Sequence, residues 1–295
     1  MAAWAIATPL VGLATALGEV GHAGIDWGLL TLAILVVIII HGYLSHAVND
    51  GIDWNSGTDR YTQGVLSGGS EVVHRGLFGL GELSEIGGIA LVVSVALGVY
   101  VAAKAGPWVW PHLVIGIGAA LAYSLPPLRL SYKPLVGEWL CAWPALAAAS
   151  SCTYYVATGK MSREALLAGA LHGLFCLGWL MEHHISDIPA DLEAMPRKVT
   201  TVAYVALRWG NGASPLVPAL YFLLSIPLVM FLAYDNGIYP KEGLVSVAMA
   251  LGAAVIAFGT NPNSIQDITR RENYLTVITF LHAAWLGLVL ARVLP

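Results

Sequence analysis

Acidic side chains recur at helical spacing in two places in this chain. The first lies in Asn49-Asp50-Gly51-Ile52-Asp53-Trp54-Asn55-Ser56-Gly57-Thr58-Asp59. Asp50 and Asp53 are three positions apart, and Asn49 and Asp53 are four apart. On a continuing helix they share one face. Carboxylates grouped with an amide are hard oxygen ligands. They suit magnesium, which usually takes one or two carboxylates and completes its shell with substrate phosphates. The second group follows His183 and His184, with Asp187 and Asp191 four positions apart. They share a face if the helix persists past Pro189. Arg197, Lys198, Thr200 and Thr201 come directly after. A solvated polar loop is the competing reading of either segment alone. Two such pairs at matching ends of apolar runs argue for a shared anionic ligand.

A third segment, Tyr123-Ser124-Leu125-Pro126-Pro127-Leu128-Arg129-Leu130-Ser131-Tyr132-Lys133, adds two cations and two aromatics. The double proline ends a helix. Arg129 and Lys133 have the chemistry to hold a diphosphate, Arg through bidentate bonds and Lys as a point charge. The ring of Tyr123 or Tyr132 could face a developing carbocation. The competing role for this segment is interfacial anchoring. His183, His184 and Asp187 have the spacing of a zinc set, but a hard-metal site explains more of the residues. His41, His46, His112, His172 and His282 are expected to be packing histidines. Asn261 to Asn273, with Asp267, Arg270, Arg271 and Glu272, reads as a solvated loop. Cys141, Cys152 and Cys176 form no CxxC pair or zinc spacing and read as small packing residues.

The elements that must position these groups follow from composition. Of 295 residues, 57% are hydrophobic and 11% charged, against roughly 25% charged in an ordinary soluble domain. The net charge of −4 and the absence of a basic tail exclude a nucleic-acid partner. Apolar runs fall near 4–18, 27–47, 86–104, 108–124, 139–157, 165–184, 215–234, 243–259 and 274–294. They do not alternate as barrel strands do, and lipid leaves helix as the other spanning structure. The expectation is an all-α polytopic membrane protein: nine transmembrane helices around a central cavity, in a single domain over 1–295. No Lys or Arg precedes the run Ala5 to Leu17, which reads as a shortened first span and not a signal peptide. No protein partner is indicated.

Basic residues set the orientation. Arg60, Arg75, Arg129, Lys133, Arg197, Lys198, Arg208, Arg270 and Arg271 share one side. Lys104, Lys160, Arg163, Lys241 and Arg292 lie elsewhere. The larger set marks the cytoplasmic side of the cell membrane. Asp50 and Asp187 are 137 positions apart, and Pro126 and Pro262 are 136 apart. Nearly equal offsets suggest two parallel four-helix repeats after the first span.

With these motifs the chain resembles the UbiA-type intramembrane prenyltransferase superfamily. Asn49-Asp50-x-x-Asp53 is similar to the start of that family's motif after the second span. Asp187-x-x-x-Asp191 is similar to its motif after the sixth, and the Tyr123–Lys133 stretch to its segment between spans 4 and 5. Gly57 stands where many members have Asp, and Asp59 is the next acid. This ending looks like the dihydroxynaphthoate branch of the menaquinone pathway and its archaeal relatives. Met195-Pro196-Arg197-Lys198-Val199-Thr200 stands where naphthoate-type members read Gly-Lys-x-Thr, and two histidines stand where Asn is often found.

The resemblance implies transfer of a polyprenyl group from its diphosphate to a small acceptor, usually an aromatic quinone precursor. It implies two Mg2+ ions held by Asp50, Asp53, Asp59, Asp187 and Asp191. Asn49, Arg60, Arg129, Lys133, Lys198 and Tyr132 would contact substrate, and Tyr123 would stand at the reacting centre with Asp53, Asp187 and Asp191. A non-aromatic lipid acceptor stays open. So does a cation- or proton-coupled transporter, because intramembrane acids also serve transport.

Overall fold

The structure is a computed structural model describing residues 2–60, 69–236 and 240–293. Among these residues every regular element is helical. The long helices are α1 (Ala2–Val20), α2 (Trp27–Ser56), α3 (Leu80–Ala105), α4 (Val109–Ser124), α5 (Trp143–Thr158) and α6 (Arg163–Glu193). A short helix, α7 (Thr201–Trp209), precedes α8 (Leu216–Asn236), α9 (Pro240–Phe258) and α10 (Ile265–Leu290).

Each of the nine apolar runs is helical. By length and composition, six segments among the described residues can cross a membrane: Trp27–Ser56, Leu80–Ala105, Arg163–Glu193, Asn211–Tyr234, Lys241–Phe258 and Ile265–Leu290. Trp4–Val20 and Val109–Ser124 are apolar but shorter. Length therefore supports six spans directly, where nine runs were counted.

Helix α6 is the axis of the molecule. Of its most apolar window, 78% is buried, against 28% for α2. Helices α1, α5, α8 and α10 pack around it. Close approach depends on small residues, as expected where lipid removes the hydrophobic drive between helices. A Cβ on Gly169 of α6 would stand 2.4 Å from the Ser150 Cβ of α5. A Cβ on Gly12 of α1 would stand 2.0 Å from the Ser150 carbonyl oxygen. Three helices therefore meet around Ser150, and a larger side chain at either glycine would force them apart.

Two local features place the acids. Both acid-bearing helices outrun their apolar segments. Helix α2 continues to Ser56 and stops at Gly57, whose φ of 98° is the left-handed cap that glycine adopts without strain. Helix α6 starts at Ser162, whose side chain accepts from the Ala165 amide, and runs through Pro189 to Glu193. Asp187 and Asp191 are therefore helical neighbours. In α2, residues Ile39–Ser45 wind with i→i+5 hydrogen bonds before regular helix resumes at His46. Such wide turns are frequent at functional sites.

The segment Asn261 to Asn273 is not the expected solvated loop. Ser264 caps α10 by accepting from the Asp267 amide, and most of the segment is its first turns. Arg271 donates to Asp267 Oδ2 and to the Ile256 carbonyl, each at 2.8 Å, and Glu272 is buried. Local caps and paired charges let the helix start before its apolar run does.

Candidate active site

A cavity of about 220 Å³ lies between α1, α2, α4, α5 and α6. Its mouth is polar, with Asn49, Asp53, Thr58, Asp59, Asp187 and Lys198. Its interior is apolar, with residues such as Trp4, Val36, Ile40, Leu113, Leu146 and Leu177. The two acidic segments, distant in sequence, thus face one space.

Asp53 is the organising carboxylate of the mouth. It is buried and accepts from three elements: Asn49 Nδ2 at 2.9 Å, the Tyr132 hydroxyl at 2.9 Å and Lys198 Nζ at 2.7 Å. Asn49 is itself held by Ser124 Oγ at 3.0 Å. Lys198 also lies 3.6 Å from Asp191 Oδ1. A single ammonium therefore joins the two acidic segments. Burial pushes the Lys198 pKa down. The Asp191 and Asp53 carboxylates outweigh that effect and hold it well above the ordinary lysine value. Its position follows from the loop after α6, where the Lys198 amide donates to the Asp191 carbonyl at 2.9 Å and the Val199 amide to the Tyr132 carbonyl at 3.4 Å.

Asp50 and Asp59 form a second group beside Gly69 and Ser70. The amide and hydroxyl of Ser70 both donate to Asp50 Oδ2. Asp50 Oδ1 is buried with no hydrogen-bond partner. A Cβ on Gly69 would stand 2.5 Å from Asp50 Oδ1 and 2.8 Å from Asp59 Oδ2. Glycine leaves that point open between two carboxylate oxygens. Burial first, then the Asp53 charge, raises the Asp59 pKa to about 8, with Lys198 pulling the other way.

These residues fit a divalent cation. The donors are hard oxygens, one is unsatisfied, and the glycine leaves room between them. Among the described residues no three His, Cys, Asp or Glu side chains gather on one point. An ion here would thus have two protein carboxylates and take its remaining ligands from water and substrate, the magnesium pattern. The zinc set of His183, His184 and Asp187 does not gather on one point among the described residues, and His183 Nδ1 meets Glu272 Oε1 at 2.9 Å.

The remaining expected residues divide. Tyr123 and Asp187 line the cavity. Asp187 lies 4.0 Å from His183 Nε2. Asp191 has 0% exposure and stands behind Lys198, not on the cavity wall. Tyr132 is buried, with its hydroxyl on Asp53 and its ring between two cations. Arg129 Cζ lies 5.6 Å and Lys198 Nζ 5.7 Å from its centroid. Burial first, then the Asp53 charge, raises its pKa. Arg60 lies over Trp54, with 5.5 Å between Cζ and the ring, and is exposed. Lys133 is also exposed. Arg129, Lys133 and Arg60 do not line the cavity. Proximity in sequence to the double proline does not bring Arg129 and Lys133 to its mouth.

Other residues reach the cavity without having been singled out for it. His41, His46 and His112 were expected to be packing side chains, yet all three line it, with His183 and His184. The available signal was periodicity: His46 lies four positions before Asp50, as His183 does before Asp187. Cys141, Cys152 and Cys176 also line the wall. Glu138 and Thr201 secure the loop. The Thr201 hydroxyl donates to Glu138 Oε1 at 2.6 Å and accepts from the Leu135 amide at 2.8 Å.

Comparison with known proteins bears on the family and the fold. The family model described as "UbiA prenyltransferase family" matches residues 5–271. A solved structure of a UbiA homolog from Archaeoglobus fulgidus bound to GPP and Mg2+ superposes with a TM-score of 0.64 at 15% identity, covering 98% of this chain and 96% of that one. The same homolog bound to DMAPP and Mg2+ gives 0.62 at 16% identity, with 99% and 97% covered. Its Cd2+-bound form gives 0.54 at 14%, with 98% and 96% covered. At these identities the likeness is one of fold. No curated protein matches the chain significantly.

Proposed function

The chain belongs to the UbiA prenyltransferase family, an integral membrane prenyltransferase, and we propose that its cavity carries out magnesium-dependent transfer of a polyprenyl group from a prenyl diphosphate to an aromatic quinone precursor. The observation that carries this reading is the polarity of the cavity. Carboxylates and one lysine gather at the mouth, and apolar side chains line the space behind it. That division matches a ligand with a diphosphate head and a hydrocarbon tail. The archaeal homolog was solved with GPP, DMAPP and Mg2+, which supports the same ligand class here.

Asp50 and Asp59 would hold one ion across Gly69, and Asp187 and Asp53 are the candidates for a second. Magnesium bound there supplies positive charge that stabilises the diphosphate as a leaving group. Lys198 stands at the mouth and offers its ammonium to the diphosphate oxygens. Asn49 and Tyr132 keep Asp53 oriented while that happens. The carbon–oxygen bond to the diphosphate breaks with its electron pair going to oxygen. The rings of Tyr123 and Trp179 line the cavity and present π faces to the allylic cation. The apolar wall excludes water that would otherwise capture it. A ring carbon of the acceptor forms the new carbon–carbon bond, and its proton passes to the departing diphosphate or a mouth carboxylate. The excess of Lys and Arg flanking the acidic ends supports a mouth on the cytoplasmic side of the cell membrane.

The test is product mass spectrometry with a labelled prenyl diphosphate and a panel of aromatic and glycerol-phosphate acceptors. A prenylated aromatic product that disappears in excess chelator is expected. Product formation in full under chelation overturns the reading, and prenylation of lipid acceptors alone reassigns the acceptor.

A further inference from the structure

The cavity holds a set of imidazoles that the diphosphate chemistry leaves unused. His46 lies on α2 four positions before Asp50, and His184 lies on α6 three positions before Asp187. They therefore lie about 6 Å and about 4.5 Å along their helices from those acids, on the apolar side. Both line the cavity. His184 is 8% exposed and its Nδ1 has no hydrogen-bond partner. His46 Nε2 is likewise buried without a partner. Unpartnered buried polar atoms are uncommon and costly, and these two belong to opposing helices around one space.

The i→i+5 winding of α2 helps to create this arrangement. In regular helix, residues five apart point about 140° away from each other. The wide turn at Ile39–Ser45 brings positions five apart nearly into line. His41 and His46 both line the cavity as a result, with ring centroids 5.9 Å apart. Among the described residues, acids outnumber bases on the cavity wall, with Asp53, Asp59 and Asp187 against one lysine. Lys198 pairs with Asp53 and Asp191, and His183 pairs with Glu272. No arginine and no second lysine line the cavity among the described residues.

We propose that His46 and His184 form the acceptor subsite and select an uncharged hydroxylated or keto ring over a ring that carries a carboxylate. A neutral imidazole has one donor and one acceptor nitrogen, matching a phenolic hydroxyl or ring carbonyl in either polarity. A carboxylate would enter this space with no unpaired cationic side chain among the described residues to meet it, at a large desolvation cost. The assignment rests on the prenyl-transfer reading above. It departs from the ring carboxylate that likeness to the dihydroxynaphthoate branch implies.

The experiment uses the full chain in detergent or vesicles, with GPP and Mg2+. The acceptors are 1,4-dihydroxynaphthalene and its 2-carboxylate. The uncharged ring is expected to give at least about tenfold higher kcat/KM, the scale of one missing partner for a buried polar group. In H46L and H184L the acceptor KM should rise about tenfold, with GPP binding unchanged. H46Q and H184N, which replace Nε2 and Nδ1 with amide groups, should recover most of that loss. Preference for the carboxylate, or an unchanged acceptor KM in both leucine variants, overturns the subsite while leaving prenyl transfer standing. Failure of the wild type to bind GPP with Mg2+ overturns the underlying reading and this one with it. If a leucine variant does not fold, the wild-type acceptor preference decides alone.

Discussion

The acidic ends of α2 and α6 carry similar residues but are supported differently. Asp53 accepts hydrogen bonds from Asn49, Tyr132 and Lys198, which come from three separate segments. Asp191 is more deeply buried, and its side-chain oxygens accept no hydrogen bond. Lys198 at 3.6 Å is its counter-ion. The α2 acid is therefore fixed in orientation by several donors, and the α6 acid by none, with the lysine as its one counter-ion. The same residue type, at the same helical spacing, is anchored by three hydrogen bonds in one place and by charge alone in the other, with Lys198 shared between them.

Replacing the organising acid should have the largest effect. Asp53→Ala removes the partner of three donors at once and should lower prenyl transfer by about 10³-fold or more, with the protein still folded. Asp187→Ala should also abolish magnesium-dependent transfer. Full activity of either variant in a labelled prenyl diphosphate assay would break the functional half of the comparison. Lys198→Met should act on stability as well as activity. It leaves both Asp53 and Asp191 without their buried cation, a loss of about 3–5 kcal/mol for a buried pair broken on one side. Adding Asp191→Asn should restore part of the thermal stability in detergent without restoring activity. If the single variant melts as the wild type does, Asp191 does not depend on the lysine.

A proton effect comes next in size. A carboxylate must lose its proton to hold a cation, and Asp59 keeps its proton up to about pH 8. Magnesium affinity should therefore rise with pH, by up to about tenfold per unit below 8, and level off above it. Asp59→Asn should flatten that rise, as titration calorimetry at several pH values would show. A smaller change follows from Glu272→Gln, which weakens the bond that fixes His183. A fall in kcat of about tenfold or less is expected, at the scale of one charged hydrogen bond. Lys133→Ala should change kcat/KM by less than about twofold, because exposed single charges contribute little. A large loss there would show that the exposed lysine closes over the mouth when substrate binds.

Much of the site was legible in the chain because it depended on local patterns. Asp50, Asp53, Asp187 and Asp191 stand at helical spacing beside apolar runs, and that placement is readable residue by residue. The cations were read less well. Lys198 reaches Asp53 across 145 positions, whereas Arg129 stacks on Tyr132 and Arg60 on Trp54. All had the same claim on a diphosphate from composition alone. The histidines were misjudged because each was weighed alone, and a packed imidazole and a cavity-wall imidazole look alike in sequence. The wide turn in α2 that places His41 beside His46 is likewise invisible to apolar periodicity.

What the sequence determined by itself was the solvent and the chemistry. Scarce charge in long apolar runs demands helices in lipid, and clustered carboxylates demand a cation and an anionic ligand. Both follow from side-chain type and short-range spacing. The tertiary structure decided which charges meet. It joined two acidic helices through one lysine, left Arg60 and Lys133 at the surface, and turned five imidazoles toward one cavity. Those outcomes depend on packing between segments more than a hundred residues apart, where the cost of burying each charge is settled by its neighbours.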